Sequence, residues 1–378
     1  MDGYETGAPL FVAGCASWLP PAVPAEQAVA AGEVTARDAA RTGVTSVTVS
    51  TGHSAPEMAS LAARIALRRA DCPPREIGLV LHASLYDQGH DLWAPASYVQ
   101  RRALGELPEH APAMEVRQVS NGGMASLDLA AAYLRAGTDR PAALLTSGDV
   151  FCPPGFRRWT SDPGTVYADG GAALVLSREG GFARLLGRFA ASEPRLEGMH
   201  RGDAPFPPAG SAPGRVVDLD RCKREFLAAT GRAAAVARVG GGQRRTLAGG
   251  LAALGLEVGD VARFVLPHLG GRRLAATYFQ PFGIDPERST WPWSRSVGHL
   301  GGGDQFAGLA HLVETKQVAP GDRVVLVGVG AGFSWSCAVL EVLACPDWAA
   351  SDTWADDPED GPGDDAGDGP GAGVRAGG

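Results

Sequence analysis

Over most of its length, the 378-residue chain has no excess of acidic or basic residues, and only its end is strongly acidic. Its net charge of −8 comes from residues 346–378, which contain nine acids and one base, whereas residues 1–345 contain 33 of each. A body without a basic excess is not typical of a nucleic-acid-binding protein, so no nucleic-acid partner is expected. The terminal segment is rich in Asp, Gly and Pro and has little to bury, which predicts a disordered acidic tail.

The sequence also lacks an export signal and a long uninterrupted apolar run. Residues 1–5 contain no basic region followed by an apolar stretch, which predicts a cytoplasmic protein. Prolines interrupt the uncharged run 6–25, and glycines interrupt the run 324–340. Neither run is typical of a membrane-spanning helix, so no membrane partner is expected.

Paired cysteines are absent as well. The six cysteines show no CxxC or other paired spacing, which argues against a zinc site and against a disulfide framework. We therefore expect small core residues at these positions, and no metal.

What the sequence does contain is an internal repetition of helices and buried strands. Three segments recur in the same order at offsets of 180 to 186 residues, which favours a duplication over the chance similarity of any two helix–strand pairs. Apolar strands that alternate with helices are typical of sheets covered on both faces, so we predict two similar α/β halves packed in layers. The recurring pairs are 61–82 with 247–268, 122–134 with 302–313, and 142–145 with 324–327.

The predicted organisation has three parts. Residues 1–175 form the first half, residues 176–345 form the second half, and residues 346–378 form the tail. The last packed residue is expected near Leu343.

The first candidate for chemistry is Ser120, which directly precedes the glycine-opened helix of the first half. A nucleophile there would face the free amides and the positive dipole end of the helix, which stabilise an oxyanion. The alternative is that Ser120 only caps the helix, as serines at such positions usually do. The segment is not a GxSxG elbow, because Gln118 occupies the place of the first glycine.

The second candidate is a histidine and a carboxylate, His299 and Asp304, which flank three glycines at the start of the equivalent helix in the second half. Asp304 could cap that helix, and His299 could fill a loop. If the two helix starts converge, however, Ser120, His299 and Asp304 supply a nucleophile, its base and the acceptor that orients the base.

Two further segments follow buried strands of the second half. His268 lies at a strand end, where a lone histidine is usually structural, and its counterpart His82 is open to the same interpretation. Residues 328–333 are glycine-rich, which lets backbone amides approach a ligand closely, but they do not match a GxGxxG phosphate loop.

Together, these four segments resemble the ketoacyl-ACP synthase III family of the thiolase fold, from about Phe11 to Val342. The order of motifs is similar to the family's, and the resemblance implies a thiolase-like duplicated α/β fold with five layers, αβαβα. Smaller matches are Arg41–Val44, similar to the family's Arg-Thr-Gly-Ile, Asp169–Ala173, similar to its Asp-Gly-Ala-Gly-Ala, and the Gly-rich turn that ends at Phe333–Trp335.

The chain differs from that family at the catalytic positions. Family members use Cys, His and Asn, where this chain has Ser120, His268 and His299, and Asp304 stands where the family has a small residue. A hydroxyl needs a base more than a thiol does, and His299 with Asp304 would supply one. In this respect the chain resembles the serine-containing synthase III-like proteins of aromatic polyketide pathways, the daunorubicin type, which are linked to a propionyl starter unit.

The resemblance implies that Ser120 takes a short acyl group, propionyl, from acyl-CoA, which is a substrate and not a cofactor. The acyl group would then pass to an acyl carrier protein or condense with malonyl-ACP. The amides of Ser120 and Ala331 would form the oxyanion hole, and His268 could assist decarboxylation.

The same resemblance places Arg41 at the CoA entrance, with Arg37 where the family has a tryptophan. It places Trp93 at or next to the position that bounds the acyl pocket across the interface of a homodimer. Carrier binding would need a local basic patch, such as the pair at 272–273 or the pair at 244–245. The role of His200 stays open between a loop residue and a second-site residue.

Two other functions remain open. One is acyl transfer to a hydroxyl or amine acceptor without condensation. The other is a non-catalytic specificity partner of another ketosynthase, a role that would not need His299 and Asp304 beside Ser120.

Overall fold

A computed structural model describes residues 7–202, 206 and 216–348. Most of the predicted disordered tail lies outside these residues. The strands within them are β1 Leu10–Trp18, β2 Ala22–Pro24, β3 Ser46–Thr48, β4 Ile77–Ala83, β5 Ala113–Val116, β6 Ala142–Asp149, β7 Gly170–Ser177, β8 Ala183–Ser192, β9 Arg263–Val265, β10 Arg323–Gly330 and β11 Ser334–Val342.

Helices cover the faces of the sheet that most of these strands form. The helices are α1 Ala25–Ala30, α2 Ala36–Thr42, α3 Ala55–Arg69, α4 Pro95–Leu104, α5 Gly122–Arg135, α6 Gly198–Arg201, α7 Leu219–Thr230, α8 Arg232–Gln243, α9 Gly249–Ala253, α10 Gly271–Leu274, α11 Gln280–Phe282, α12 Trp291–Ser294 and α13 Asp304–Glu314. A π-helical turn, Arg244–Ala248, joins α8 to α9, and a second, Ala275–Phe279, joins α10 to α11.

The strand order confirms the duplication. The first half has the order β5-β4-β6-β7-β1, and the second half has the order β9-β10-β11-β8. The strands pair in the same way in both halves. The pairs β4–β6 and β9–β10 are parallel. The pairs that follow them, β6–β7 and β7–β1 in the first half and β10–β11 and β11–β8 in the second, are antiparallel. The second half therefore repeats the first without the equivalent of β5.

The core confirms the five-layer arrangement. Alternate residues of a strand point to opposite faces, and on β6 Ala143 and Leu145 join the central core while Ala142 and Leu144 face α3. The central core also contains buried residues of α5 and α13, such as Leu127 and Leu309. On the far side, the other face of the second half packs against residues of the π-helical turn and α9. Helices thus form the outer and middle layers, and the two halves of the large sheet lie between them.

The two halves are joined by strand pairing. Strand β1 pairs with β7 of its own half and, over Leu10–Val12, with β8 of the other half, which makes one nine-stranded sheet. The predicted boundary between residues 175 and 176 is wrong by a few residues because it falls inside β7, and the turn between β7 and β8 occupies residues 178–182.

The packed chain also extends further than predicted. Trp348 is buried, its ring lies 5.0 Å from that of Phe182, and the Arg69 guanidinium lies 5.0 Å above it. Residues 346–348 therefore belong to the body, because the indole supplies apolar surface that the core can bury. The expected limit near Leu343 is wrong.

Two further findings concern sequence expectations. Among the described residues, no helix has the length and apolar character needed to cross a membrane. The expectation of core cysteines holds for Cys15, Cys222 and Cys337 but is wrong for Cys152, which is exposed.

Candidate active site

Ser120 lies on a strained turn between β5 and α5. Val119 has a φ of 50°, a conformation that β-branched residues rarely adopt, and the turn is closed by hydrogen bonds from Asn121 N to Gln118 O and from Gly122 N to Val119 O. The helix N-cap is Asn121, so Ser120 does not cap α5. Its hydroxyl instead contacts a residue of the other half.

That residue is His299, whose backbone is fixed on the first half of the chain. His299 N donates to Val166 O at 2.8 Å, and Ala168 N donates to His299 O at 2.9 Å. The preceding Gly298 has a φ of 89°, and a Cβ added to it would lie 2.8 Å from Ala168 Cβ, so a side chain there would clash. The histidine is thus placed by a short bridge between the halves.

Ser120, His299 and Asp304 form a continuous hydrogen-bonded chain. His299 Nδ1 lies 2.6 Å from Asp304 Oδ2, and Ser120 Oγ lies 2.8 Å from His299 Nε2. A carboxylate only accepts, so Nδ1 carries a proton, and in neutral His299 the free Nε2 accepts from the serine hydroxyl. This is the geometry in which an imidazole can remove a proton from a hydroxyl.

Asp304 is held by more than the histidine. Its Oδ2 also accepts from His268 N at 2.8 Å, and its Oδ1 accepts from Leu300 N at 2.8 Å. The carboxylate is 1% exposed. Every neighbour that it contacts through these bonds is a donor, so the buried charge is compensated.

The pKa values of this pair are shifted in opposite directions. Burial alone would lower the pKa of His299, but the charge and hydrogen bond of Asp304 outweigh it, and the pKa is raised. Burial alone would raise the pKa of Asp304, but His268, His299 and their hydrogen bonds outweigh it, and the pKa is lowered. Asp304 therefore stays charged, and His299 becomes a free base only above the usual pH range of an imidazole.

His268 lies three residues beyond the end of β9, and its ring is placed beside the same carboxylate. Its Nδ1 donates to Gly298 O at 2.8 Å and lies 3.3 Å from Asp304 Oδ1. Burial lowers the pKa of His268 against the opposing effect of Asp304, so the ring is neutral and Nε2 is an acceptor. Nε2 is buried and has no hydrogen-bond partner among the described residues, whereas both ring nitrogens of His82 have partners. His268 can therefore accept a hydrogen bond from a substrate, whereas the ring of His82 is held by protein partners.

The two glycine-opened helices meet at this point, as the repetition predicted. A Cβ on Gly123 would lie 2.3 Å from Gly302 O, so the starts of α5 and α13 touch through their backbones. A Cβ on Gly330, at the end of β10, would likewise lie 2.3 Å from Gln118 O. Ala331 follows it, which places this residue beside the turn that carries Ser120.

The residues predicted at the pocket entrance lie on exposed segments. Arg41 is on α2, where it forms a 3.5 Å ion pair with Asp38. Trp93 lies before α4 and packs edge-on against His90 and Tyr98. Neither contact tests a role in substrate binding, so both roles stay predictions.

His200 and the basic pairs have these placements. His200 is on α6, packs edge-on against Phe333, and has its pKa lowered to about 4 by burial. Arg273 forms an ion pair with buried Asp162 at 3.2 Å, so it does not supply the expected free patch, while Arg272 and the pair at 244–245 are exposed.

Sequence reasoning did not identify Tyr167 or Asp149. The Tyr167 ring packs edge-on against His299 at 4.9 Å, and Asp149 is fully buried beside the glycine turn that follows His299. Asp149 ends a buried strand that is parallel to β4, and side chains at the carboxyl ends of parallel strands often line functional sites. Its place at the end of a predicted buried strand is therefore the feature of the sequence that points to it.

The duplicated layered fold, with a serine at one helix start and two histidines from the other half, defines the thiolase class of enzyme folds. Residues 251–342 match the model of the 3-oxoacyl-ACP synthase III C-terminal family. The β-ketoacyl-ACP synthase III of Rhodospirillum rubrum is 27% identical over 346 residues, which cover 88% of this chain and 98% of the relative.

Solved structures agree with these relatives. ChlB3, described as an acyltransferase, is 34% identical, with a TM-score of 0.84 over 90% of this chain and 100% of that one. OleA of Xanthomonas campestris, 21% identical, has the same fold, with a TM-score of 0.70 over 88% of this chain and 99% of that one. The chain belongs to the ketoacyl-ACP synthase III-like family and is an acyltransferase.

Proposed function

We propose that this enzyme takes a short acyl group, propionyl, from acyl-CoA onto Ser120 and delivers it to an acyl carrier protein or to malonyl-ACP, priming polyketide synthesis. The observation that carries the proposal is the Ser120–His299–Asp304 chain, with contacts of 2.8 and 2.6 Å. The similarity to ChlB3, which is described as an acyltransferase, supports it.

In the first step, His299 Nε2 accepts the proton of Ser120 as Oγ attacks the thioester carbonyl. The oxyanion is held by the amides of Ser120 and Ala331, at the start of α5 and next to Gly330. The CoA thiolate then leaves with the proton from His299, and an acyl ester remains on Ser120. Asp304 stabilises the imidazolium during this step.

In the second step, an acceptor attacks the ester carbonyl, the bond between the acyl carbon and Ser120 Oγ breaks, and Oγ regains a proton, which is the acceptor's own when the acceptor is a thiol. For a carrier thiol, a buried base must take its proton, and the free Nε2 of neutral His268 is suited to accept it. Decarboxylation of malonyl-ACP would instead require a donor to the enolate oxygen. The unprotonated Nε2 of His268 favours transfer to a thiol, hydroxyl or amine over condensation.

The non-catalytic alternative is less well supported. A protein that only selects partners would not need a buried carboxylate that raises the pKa of a histidine against the effect of burial, beside a serine hydroxyl. A buried charged pair adds little net stability, so a catalytic role explains its presence better than packing does.

A homodimer is part of the proposal. The edge strand β5 ends the large sheet and exposes Met114, which is 49% accessible, and the loop before α4 exposes Leu92 completely. An unpaired edge with apolar side chains suits pairing with a second copy, which would bring Trp93 of each chain toward its partner.

The test is incubation with propionyl-CoA followed by intact-mass measurement. The wild type should gain one propionyl group, and Ser120→Ala and His299→Ala should not. Ser126→Ala is the matched control, because this buried serine is on α5, the helix that follows Ser120, and among the described residues its hydroxyl donates only to Gly122 O, at 2.9 Å. An unmodified wild type, or an equal adduct in Ser120→Ala, contradicts loading at Ser120. Malonyl-ACP and a carrier without malonyl then separate condensation from transfer.

A further inference from the structure

Asp149 is a buried carboxylate that the proposed mechanism does not use. It ends β6, is 0% exposed, and burial raises its pKa to about 7 against the opposing hydrogen bonds of the Tyr86 and Leu85 amides. No cation forms an ion pair with it among the described residues, although His299 and Arg117 are close enough to favour its charge. A buried carboxylate of this kind is costly, so its contacts need an explanation.

These contacts join two segments that flank His299. Asp149 Oδ1 accepts from Leu85 N at 2.9 Å and from Tyr86 N at 2.8 Å, which fixes the chain after β4. On the other side, Oδ2 lies 2.2 Å from the position of a Cβ on Gly301. Only glycine fits there, so the carboxylate packs directly on the turn between His299 and Asp304.

The segment after β4 reaches His299 by a second route. Tyr86 stacks on Phe151 at 5.9 Å and meets Phe156 edge-on at 5.7 Å. Both phenylalanines pack on Tyr167, at 4.8 and 4.6 Å, and Tyr167 packs edge-on against the His299 ring. These four aromatic residues therefore form a continuous support behind the imidazole.

We propose that Asp149 is a positioning residue, which fixes the His299 ring by holding the Gly301 turn on one side and the Tyr86 aromatic support on the other. This inference rests on the proposed function, since it assigns a role in acylation of Ser120. A base that is displaced by a fraction of an ångström loses rate steeply, whereas substrate binding changes little.

The experiment measures the acylation rate of Ser120 by intact mass, at several propionyl-CoA concentrations and from pH 5.5 to 9. Asp149→Ala should lower the maximal rate about tenfold to a hundredfold, with little change in the concentration of propionyl-CoA that gives half of that rate. Asp149→Asn should recover most of the rate, because one amide oxygen can accept from both Leu85 N and Tyr86 N, as Oδ1 does.

The pH profile gives a readout that loss of stability alone would not change. The acids that face His299 are Asp304, Asp162 and Asp149, and each raises the pKa of that histidine, while His268 is the neighbouring base. Above pH 7, where Asp149 is mostly ionised, Asp149→Asn removes a negative charge, so the midpoint of the acylation profile should move to lower pH. Asp322→Asn is the control, since its carboxylate only closes a turn by accepting from Ala319 N.

The outcomes separate this inference from the proposed function. An acylated wild type, a slower Asp149→Ala and a shifted midpoint in Asp149→Asn support it. An acylated wild type whose rate and midpoint are unchanged in both variants overturns the role of Asp149 alone. An unacylated wild type overturns the proposed function, and this inference with it. Asp149→Asn still decides the question if Asp149→Ala does not fold.

Discussion

Replacement of Asp304 by asparagine tests the proposed base most directly. The Asp304 carboxylate has three hydrogen-bond partners, and all three are donors: His299 Nδ1, His268 N and Leu300 N. An asparagine amide has one acceptor oxygen and one donor NH2 group. Whichever way it is turned, its NH2 group therefore points at one of these donors and cannot bond to it in the present arrangement. The Asp304→Asn variant therefore has two possible arrangements, and each has its own cost.

If the amide oxygen faces His299, the histidine keeps its tautomer but loses a charge-assisted hydrogen bond. Such a bond contributes about 1.5–3 kcal/mol, which corresponds to roughly 10-fold to 150-fold in rate. If the NH2 group faces His299, the ring must present Nε2–H to Ser120 and cannot accept its proton. The loss then approaches about 10⁴-fold, the scale seen when a catalytic histidine has the wrong tautomer.

The pH dependence distinguishes this account from a general loss of structure. Acylation requires neutral His299, so the wild-type rate should rise with pH to a plateau, with a midpoint above the usual imidazole value of 6.5. Asp304 provides the main upward contribution to this pKa, so in Asp304→Asn burial dominates and the midpoint should fall. The assay is the rate of propionyl adduct formation from pH 5.5 to 9, with circular dichroism as a check of folding. A folded Asp304→Asn protein with the wild-type rate and midpoint would refute the role of His299 as base.

Two further predictions concern stability. Gly123→Ala should destabilise the protein by about 1–3 kcal/mol and impair acylation, because the new Cβ would lie 2.3 Å from Gly302 O. Urea unfolding measures the change, and the control is Gly259→Ala, at an exposed glycine with open space around its Cβ. Equal stability of the two variants would contradict the contact. A chain that ends at Leu343 should lose about 3–5 kcal/mol relative to one that ends at Trp348, because it lacks the buried indole; thermal unfolding measures the difference, and similar transitions would show that the indole is dispensable.

The sequence predicted the layered fold and the meeting of Ser120, His299 and Asp304 for a physical reason. Both depended on patterns that are local in the sequence and occur twice, such as the glycine-opened helices at 122 and 302. Once two helix starts are known to be equivalent, a Ser before one and a His and an Asp at the other are expected to converge. The structure brings Ser120, His299 and Asp304 together as that repetition predicted.

The rest could not be predicted, because it depends on contacts between distant residues without a pattern. The positive φ of Val119 follows from a tight turn that no glycine announces. Asp149 is an ordinary residue at a strand end until the Gly301 turn is placed against it. Trp348 looked like part of an acidic segment, and only the position of Phe182 and Arg69 shows that its ring is covered.

The position of β1 has a consequence for how this protein assembles. It is the first strand along the chain, yet its hydrogen-bonding partners on both sides lie more than 150 residues away, at 171–177 and 183–185. Contacts of such long range form slowly, because a large loop must close before they contribute. Neither half can complete its sheet edge alone, and neither contains both Ser120 and His299. If Ser120 is acylated as proposed, the reaction should therefore require both halves to be docked. The appearance of acylation activity during refolding should then report when the two halves dock.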